Sequence, residues 1–376
     1  MKNPFIYGKE VQGTSFCNRK LEIKELLNDI NNGQNVLIYS PRRFGKTSLI
    51  KEVLRLAKKK GVLTVYVDLY PAFSKQKFIE IYAKSISKSF QGKIDQIYTA
   101  LKNILPRMIP KVIIKEDGYQ DFEFDFDKSA SVAPILDDLL MAIKKRADKL
   151  KKQAVVVFDE FQEINKYDDN EIEDKMRSFF QSHNNVSYIF MGSKKHIMQE
   201  IFFNPNRPFY KSVKHFPLDK IKKEEFLKFL TDKMTLSGIA VAVEHLENVL
   251  KITDCHPYYT QLLANILWEE IKDKKKLDSS DVSVALDKLI NRESAVYITL
   301  FDYLNLNQKK LLQALSLENG YQEVFSEYFL LKYNLRIPSI VQKAIKVLLE
   351  REIIYKENGK YLIFDLFFQE WIKRKM

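Results

Sequence analysis

Short apolar runs, each bounded by a turn or by a helical stretch, set the frame of this chain. Val36-Leu37-Ile38-Tyr39 is the first. Residues 62–69 (VLTVYVDL), 154–158 (AVVVF) and 187–191 (SYIFM) follow, with a short fifth run at 215–218. Runs without polar alternation suit strands covered on both faces, as in a parallel sheet. Between them apolar residues return at helical spacing over 46–60, 73–90, 134–152 and 173–183. Ahead of the first strand, Leu21, Leu26, Leu27 and Ile30 predict a helix opened by Asn18 as N-cap and closed at Gly33. Strands alternating with helices at this spacing predict an α/β doubly wound parallel sheet over residues 1–218.

Residues 91–130 break the rhythm. Pro106 and Pro110 interrupt helical patterns, 112–114 reads as a short strand, and FEFDF at 122–126 alternates as an edge strand does. The stretch reads as an insertion or a lid. From 222 the pattern is helical, with segments 222–236, 243–253, 256–274 and 279–291, which predicts a small helical domain over 219–294. Beyond 295 come helices at 307–317, 325–333 and 340–350. Apolar runs at 353–355 and 361–364 then flank Glu357-Asn358-Gly359. Three helices and an Asn-Gly hairpin predict a winged helix over 295–376.

Composition adjusts this picture. At roughly 100–200 residues per domain, 376 residues allow two or three. Hydrophobic residues make up 45%, enough for packed cores. The net charge of +12 has two readings. One is a polyanion partner; the other is a Lys-rich solvated surface with interleaved acids, as at Lys222-Lys223-Glu224-Glu225. The two cysteines, Cys17 and Cys255, lie far apart with no CxxC. That spacing argues against a zinc cluster and fits a reducing compartment. No apolar run reaches signal-peptide length at the N-terminus or the roughly 18 residues of a membrane span, so the expectation is a cytoplasmic protein without membrane contact.

Candidate chemistry sits at three strand ends. After the first strand comes Ser40-Pro41-Arg42-Arg43-Phe44-Gly45-Lys46-Thr47, close to the phosphate-binding pattern GxxxxGK[ST] with Ser40 at the first glycine. Loop amides and a helix N-terminus cradle phosphate oxygens there. The Lys reaches the outer phosphates, and the hydroxyl holds Mg2+. Lys46 and Thr47 fill those roles, and Gly45 permits close backbone approach. After the third strand comes Asp159-Glu160: one carboxylate to hold the metal, the next to activate water. After the fourth comes Ser193, read either as a γ-phosphate sensor or as part of a plain Gly-Ser turn. These features predict ATP and Mg2+ as ligands and ATP hydrolysis as the reaction.

Several segments together resemble the archaeal-type ATPase family, a branch of the STAND and AAA-plus P-loop proteins. They are Phe16-x-Asn18-Arg19-x-x-Glu22, Pro41-Arg42-Arg43-x-Gly45-Lys46-Thr47-Ser48, Val157-Phe158-Asp159-Glu160-Phe161-Gln162-Glu163, Gly192-Ser193, Pro208-Phe209-Tyr210, His256-Pro257-Tyr258-Tyr259 and Asp365-Leu366-Phe367-Phe368-x-x-Trp371. Leu366 stands where similar proteins more often have Pro. The resemblance implies a nucleotide held by residues 40–48, with Phe16 and Arg19 near the adenine. It also implies His256 and Pro257 approaching from a helical lid, with Cys255 where such proteins carry Gly. From the residues alone, His256-Pro257 reads as a helix start. Arg207 reads as a γ-phosphate sensor or arginine finger, or as a plain surface Arg.

The resemblance further implies a slow, regulated switch in which nucleotide state is passed to the winged helix. That module reads in two ways. One is a DNA binder, with helix 340–350 in a groove and the wing at 356–360 on phosphate. The other is a module acting on a protein partner or on a homo-oligomer. Lys343, Lys346 and Arg351 favour the first; Glu350, Glu352 and Glu357 favour the second.

Overall fold

In a computed structural model of the chain, residues 2–375 are described apart from 12, 18, 119, 128–130, 168 and 336. The N-cap expected at Asn18 lies outside the described residues. The chain packs as two compact units: residues 8–221, and residues 1–7 together with 222–376. The boundary expected at 218 thus falls at 221, and the first residues pack with the second unit.

In the first unit, α1 (Lys20–Asn31) leads to β1 (Val36–Tyr39), α2 (Lys46–Lys59), β2 (Leu63–Asp68) and α3 (Lys75–Lys88). Then come α4 (Ile94–Ile104), β3 (Ile109–Ile114), β4 (Gln120–Asp125), α5 (Val132–Leu150) and β5 (Ala154–Asp159). A 3-10 turn (Phe161–Lys166), α6 (Glu171–Phe180), β6 (Val186–Gly192), α7 (Lys195–Phe203) and β7 (Lys214–Pro217) complete it. Gly33 does follow α1, at φ +66°, and a Cβ there would lie 2.6 Å from the Asn184 carbonyl oxygen. Position 33 therefore needs glycine for its conformation and for its close approach.

The main sheet is parallel, in the order β2-β5-β6-β1-β7. Every residue of β5 and β6 is buried, as their unbroken apolar runs require. Alternation sorts their side chains between two cores. Val155, Val157 and Ile189 face Leu49, Ile50 and Val53 of α2, while Val156, Phe158 and Phe190 face α3, α5 and α6. The second core is aromatic. Phe190 lies 4.7 Å from Phe161, 5.1 Å from Phe202 and 5.3 Å from Phe209, centroid to centroid. Phe158 and Phe161, 6.0 Å apart in this cluster, flank the Asp159-Glu160 turn. The 91–130 stretch holds α4 and an antiparallel β3–β4 hairpin, separate from the main sheet.

The second unit begins with α8 (Lys223–Leu236), α9 (Val243–Thr253), α10 (Pro257–Ile271) and α11 (Ser279–Asp302). It continues through α12 (Leu306–Leu317), α13 (Glu327–Lys332), α14 (Pro338–Glu350), β8 (Ile354–Glu357), β9 (Lys360–Ile363) and α15 (Leu366–Lys375). The boundary expected at 294 and 295 lies inside α11, which opens on a capping box from Asp278 and Asp281 and runs unbroken to Asp302. β8 and β9 pair antiparallel. Their two-residue turn has Asn358 at φ 48° and Gly359 at φ 83°, the positive pair an Asn-Gly hairpin uses.

Residues 2–7 form a strap on the helices. Phe5 is buried edge-on to Phe229 of α8, at 6.4 Å between ring centroids. Asn3 Nδ2 donates to the Asn265 carbonyl at 3.0 Å, and Asn265 Nδ2 donates to the Phe5 carbonyl at 2.7 Å. No helix among the described residues is long and apolar enough to cross a membrane.

Candidate nucleotide site

β1, β5 and β6 are neighbours and parallel, so their carboxyl ends bring residues 40, 159 and 193 to one edge of the sheet. Open α/β sheets place their ligand crevice at that edge. The loop 40–45 leaves β1 and turns into α2. Arg43 at φ 66° and Gly45 at φ 86° make the turn, and α2 starts without a side-chain cap. A Cβ on Gly45 would meet nothing within 4 Å, so the loop is open on that side. The uncapped first turn and this open cradle fit a phosphate group.

Lys46 is buried and folds back on its own loop. Its Nζ donates to the Ser40 carbonyl at 2.8 Å and to the Pro41 carbonyl at 3.1 Å, with Ser40 Oγ at 3.4 Å. Burial pulls its proton affinity down to about 8, the charges of Glu160 and Asp159 pull it up, and Arg42 pulls it down. Arg42 and Arg43 stand exposed at the loop mouth, and Phe44 is buried.

Thr47 Oγ1 donates to Asp159 Oδ2 at 3.1 Å, which closes the P-loop onto the end of β5. Asp159 Oδ2 also accepts from the Tyr66 hydroxyl of β2 at 2.5 Å, and Oδ1 accepts from the Glu160 amide at 2.9 Å. Burial raises the Asp159 carboxyl above the usual carboxylate value, and the neighbouring Glu160 charge adds to the rise; the hydrogen bonds oppose both. A hydroxyl and a carboxylate facing each other are hard oxygen donors, the set Mg2+ prefers.

Glu160 takes a left-handed conformation, φ 52°. Its Oε2 accepts from Ser193 Oγ at 2.8 Å and from Gln162 Nε2. Ser193 therefore does more than make a turn: it ties β6 to the candidate base. A Cβ on Gly192 would lie 2.5 Å from Gln162 Oε1 and from Met198 Sδ, so a larger residue there would displace these side chains.

Other expected residues lie in supporting places. Arg19, itself at φ 54°, is buried. One Nη2 donates to the Phe44 carbonyl at 3.3 Å and to the Asp219 carbonyl at 2.7 Å, and Nη1 pairs with Glu22 at 3.0 Å. It buttresses the P-loop from behind. Phe16 packs half-buried against the α1 and α2 core. Ser48 Oγ accepts the Val11 amide at 3.2 Å, which pins residues 8–11 to α2. Arg207 is mostly buried and grips Glu173 through Nε at 3.1 Å and through Nη2, with a further bond to Asn165 at 3.0 Å. Neither expected reading of Arg207 describes that buried pair. His256 and Pro257 belong to the second unit, as N-cap and first residue of α10; His256 Nδ1 accepts the Tyr258 amide at 3.3 Å.

The sequence reading missed Tyr66 and Gln162. A tyrosine within the aliphatic run VLTVYVDL was the available signal, because a buried phenol needs a partner. Gln162 stood inside the Asp-Glu-Phe-Gln-Glu motif, but with no role assigned to it.

A parallel sheet with a P-loop leaving its β1 strand and an acidic pair at the end of β5, one strand beyond β6, defines the P-loop nucleoside triphosphatase class. A family model described as an ATPase domain predominantly from Archaea matches residues 16–263, and the chain belongs to that family. A model described as a probable winged helix domain matches residues 295–374. No curated protein matches the chain. Among solved structures, the Walker-type ATPase PABY2304 of Pyrococcus abyssi is similar over 98% of this chain and 99% of its own, with TM-score 0.68 at 14% identity. The Aeropyrum pernix ORC2 protein, in its ADPNP-ADP complexes, is similar over 96% and 95%, with TM-score 0.53 at 14% identity. At such identity the likeness concerns the fold.

Proposed function

We propose that this chain binds ATP with Mg2+, hydrolyses it slowly, and uses the change of nucleotide state as a switch for its helical and winged-helix parts. The observation that carries this reading is the Thr47–Asp159 hydrogen bond across the P-loop and β5, with buried Lys46 behind it. The bound nucleotides of the Aeropyrum pernix ORC2 protein support the choice of ligand.

The loop amides and Lys46 bind the phosphates, and Lys46 exchanges its carbonyl partners for phosphate oxygens. Thr47 and Asp159 would hold Mg2+, which supplies positive charge against the phosphates. Glu160 orients the attacking water and accepts its proton. In the present arrangement Ser193 and Gln162 occupy Glu160 Oε2, which supports low turnover: those bonds compete with the water for the base.

Glu160→Gln separates binding from chemistry. Retained ATP binding with phosphate release reduced by about a hundredfold or more is expected, within the range general-base loss produces. Unchanged release would remove Glu160 from the mechanism.

A second reading, a DNA-associated ATPase, has one observation in its favour. Gln342, Lys343 and Lys346 lie exposed on α14, and neither lysine forms an ion pair among the described residues. Lys360 of the hairpin is exposed in the same way.

A further inference from the structure

We propose that Tyr66 is a positioning residue for the divalent cation: its hydroxyl fixes the Asp159 carboxylate so that Asp159 and Thr47 present a preformed pair of oxygens. The proposal rests on the nucleotide reading above and adds a residue from the edge strand to it.

A carboxylate has about four lone-pair sites. Asp159 already fills three from within the protein. Oδ1 takes the Glu160 amide at 2.9 Å, and Oδ2 takes Thr47 Oγ1 at 3.1 Å and Tyr66 Oη at 2.5 Å. One site on Oδ1 remains for an external partner. The direction of that site depends on the torsion of the carboxylate, which for aspartate is broad and intrinsically loose. Thr47 cannot fix it alone, because its own hydroxyl must turn an oxygen to the cation. The Glu160 amide holds Oδ1 from a strained residue on a turn. Tyr66 holds Oδ2 from the sheet itself.

Tyr66 is suited to that work because it is rigid. It pairs in register with Val157, two residues before Asp159. Its ring packs on the core that contains Leu49, Val53, Val155 and Val157. Lys51 Nζ lies 5.0 Å from the ring centroid, itself held by Glu10 at 2.6 Å. The strand, the α2 core and an ion-paired lysine thus fix the phenol. Through one hydrogen bond they fix the carboxylate. Partners that orient a metal ligand commonly change metal affinity by 10–100-fold when removed.

Tyr66→Phe deletes the hydroxyl and keeps the ring. The test uses the full chain and fluorescent ADP, titrated first in EDTA and then across a range of Mg2+, with Mn2+ binding to the ADP complex followed by electron paramagnetic resonance. The expected result is an unchanged affinity in EDTA, a Mg2+ midpoint raised about tenfold, and weakened Mn2+ binding. Equal Mg2+ midpoints in the two proteins overturn the proposal. So does a parallel loss of affinity with and without metal, since that marks a packing role only. Should Tyr66→Phe melt early, Tyr66→His keeps a ring and a donor, and a midpoint nearer the wild type then supports the hydrogen bond while one no better than that of Tyr66→Phe overturns it. A wild-type chain that binds no ADP under any condition overturns the nucleotide reading itself, a result distinct from the others.

Discussion

His183 shows how one buried side chain can set a pH dependence. It sits beside the start of β6, with Nδ1 2.7 Å from the Tyr188 hydroxyl and its other nitrogen buried. Burial pushes its proton affinity down from 6.5 to about 4; Lys144 pushes the same way, and Asp148 opposes both. The folded value lies below the unfolded one, so above about pH 6.5 the ring is neutral in both states and adds no pH dependence. As pH falls from there toward 4, the unfolded chain takes up the proton first and stability declines. Melting wild type and His183→Gln from pH 7.5 to 4 should show a steeper loss for the wild type in that window. Parallel curves would contradict it. The site residues divide by the kind of signal they carry. Lys46, Thr47, Asp159 and Glu160 were legible because their spacing to apolar runs is part of the motif. Tyr66 was not, because its partner is chosen by strand register, which the sequence does not display; Gln162 was legible as a motif residue, but its bond to Glu160 depends on the turn geometry. Arg19 was legible as a motif residue, yet its bonds to two backbone carbonyls differ from the adenine contact expected.

At the level of elements, α14 carries the sharpest question. Its buried face is Val341, Ala344, Ile345 and Leu348, so Gln342, Lys343 and Lys346 point outward together. If the winged helix grips DNA through them, each phosphate contact removed lowers the slope of log affinity against log salt by about 0.9. Lys343→Ala with Lys346→Ala in the full chain should therefore reduce that slope by roughly two. Absence of wild-type binding to duplex DNA at low salt would dismiss the reading. The strands β1, β5 and β6 were readable because burial on two faces leaves continuous apolar sequence, and β2, at the sheet edge with only Val65 and Val67 buried, was readable from its β-branched run. α4 was not, although Ile94, Ile97, Leu101 and Ile104 recur at helical spacing: only Leu101 of it is buried, and Pro106 and Pro110 close behind it broke the reading of the stretch. The hairpin was partly legible: β4 through Phe alternation, β3 through the short strand at 112–114, with its start at Ile109 obscured by Pro110. α7 and α15 escaped as well. α7 is flanked by Gly-Ser and Asn-Pro turns that mask a short helix, and α15 follows directly on the β9 strand.

For the whole molecule, the strap of residues 2–7 was invisible to any local pattern, since its partners in α8 and α10 come more than 200 residues later. Phe5→Ala removes its buried anchor and should cost about 3–5 kcal/mol, the usual range for a core phenylalanine. Hydrogen exchange should quicken in α8 and α10 and stay slow in β5 and β6. Uniform quickening would mean the two units melt as one. The first unit is an insertion within the second: the chain begins the helical unit, leaves it at residue 8, and resumes it at 222. The strap must therefore close a long loop, and its entropy cost depends on the state of what lies between. A folded insert holds residues 8 and 221 at one separation, while an unfolded insert lets them wander. During synthesis residues 2–7 lack their α10 partners until that helix has been made. The strap's contacts with α8 and α10 therefore form only after the whole first unit has been made.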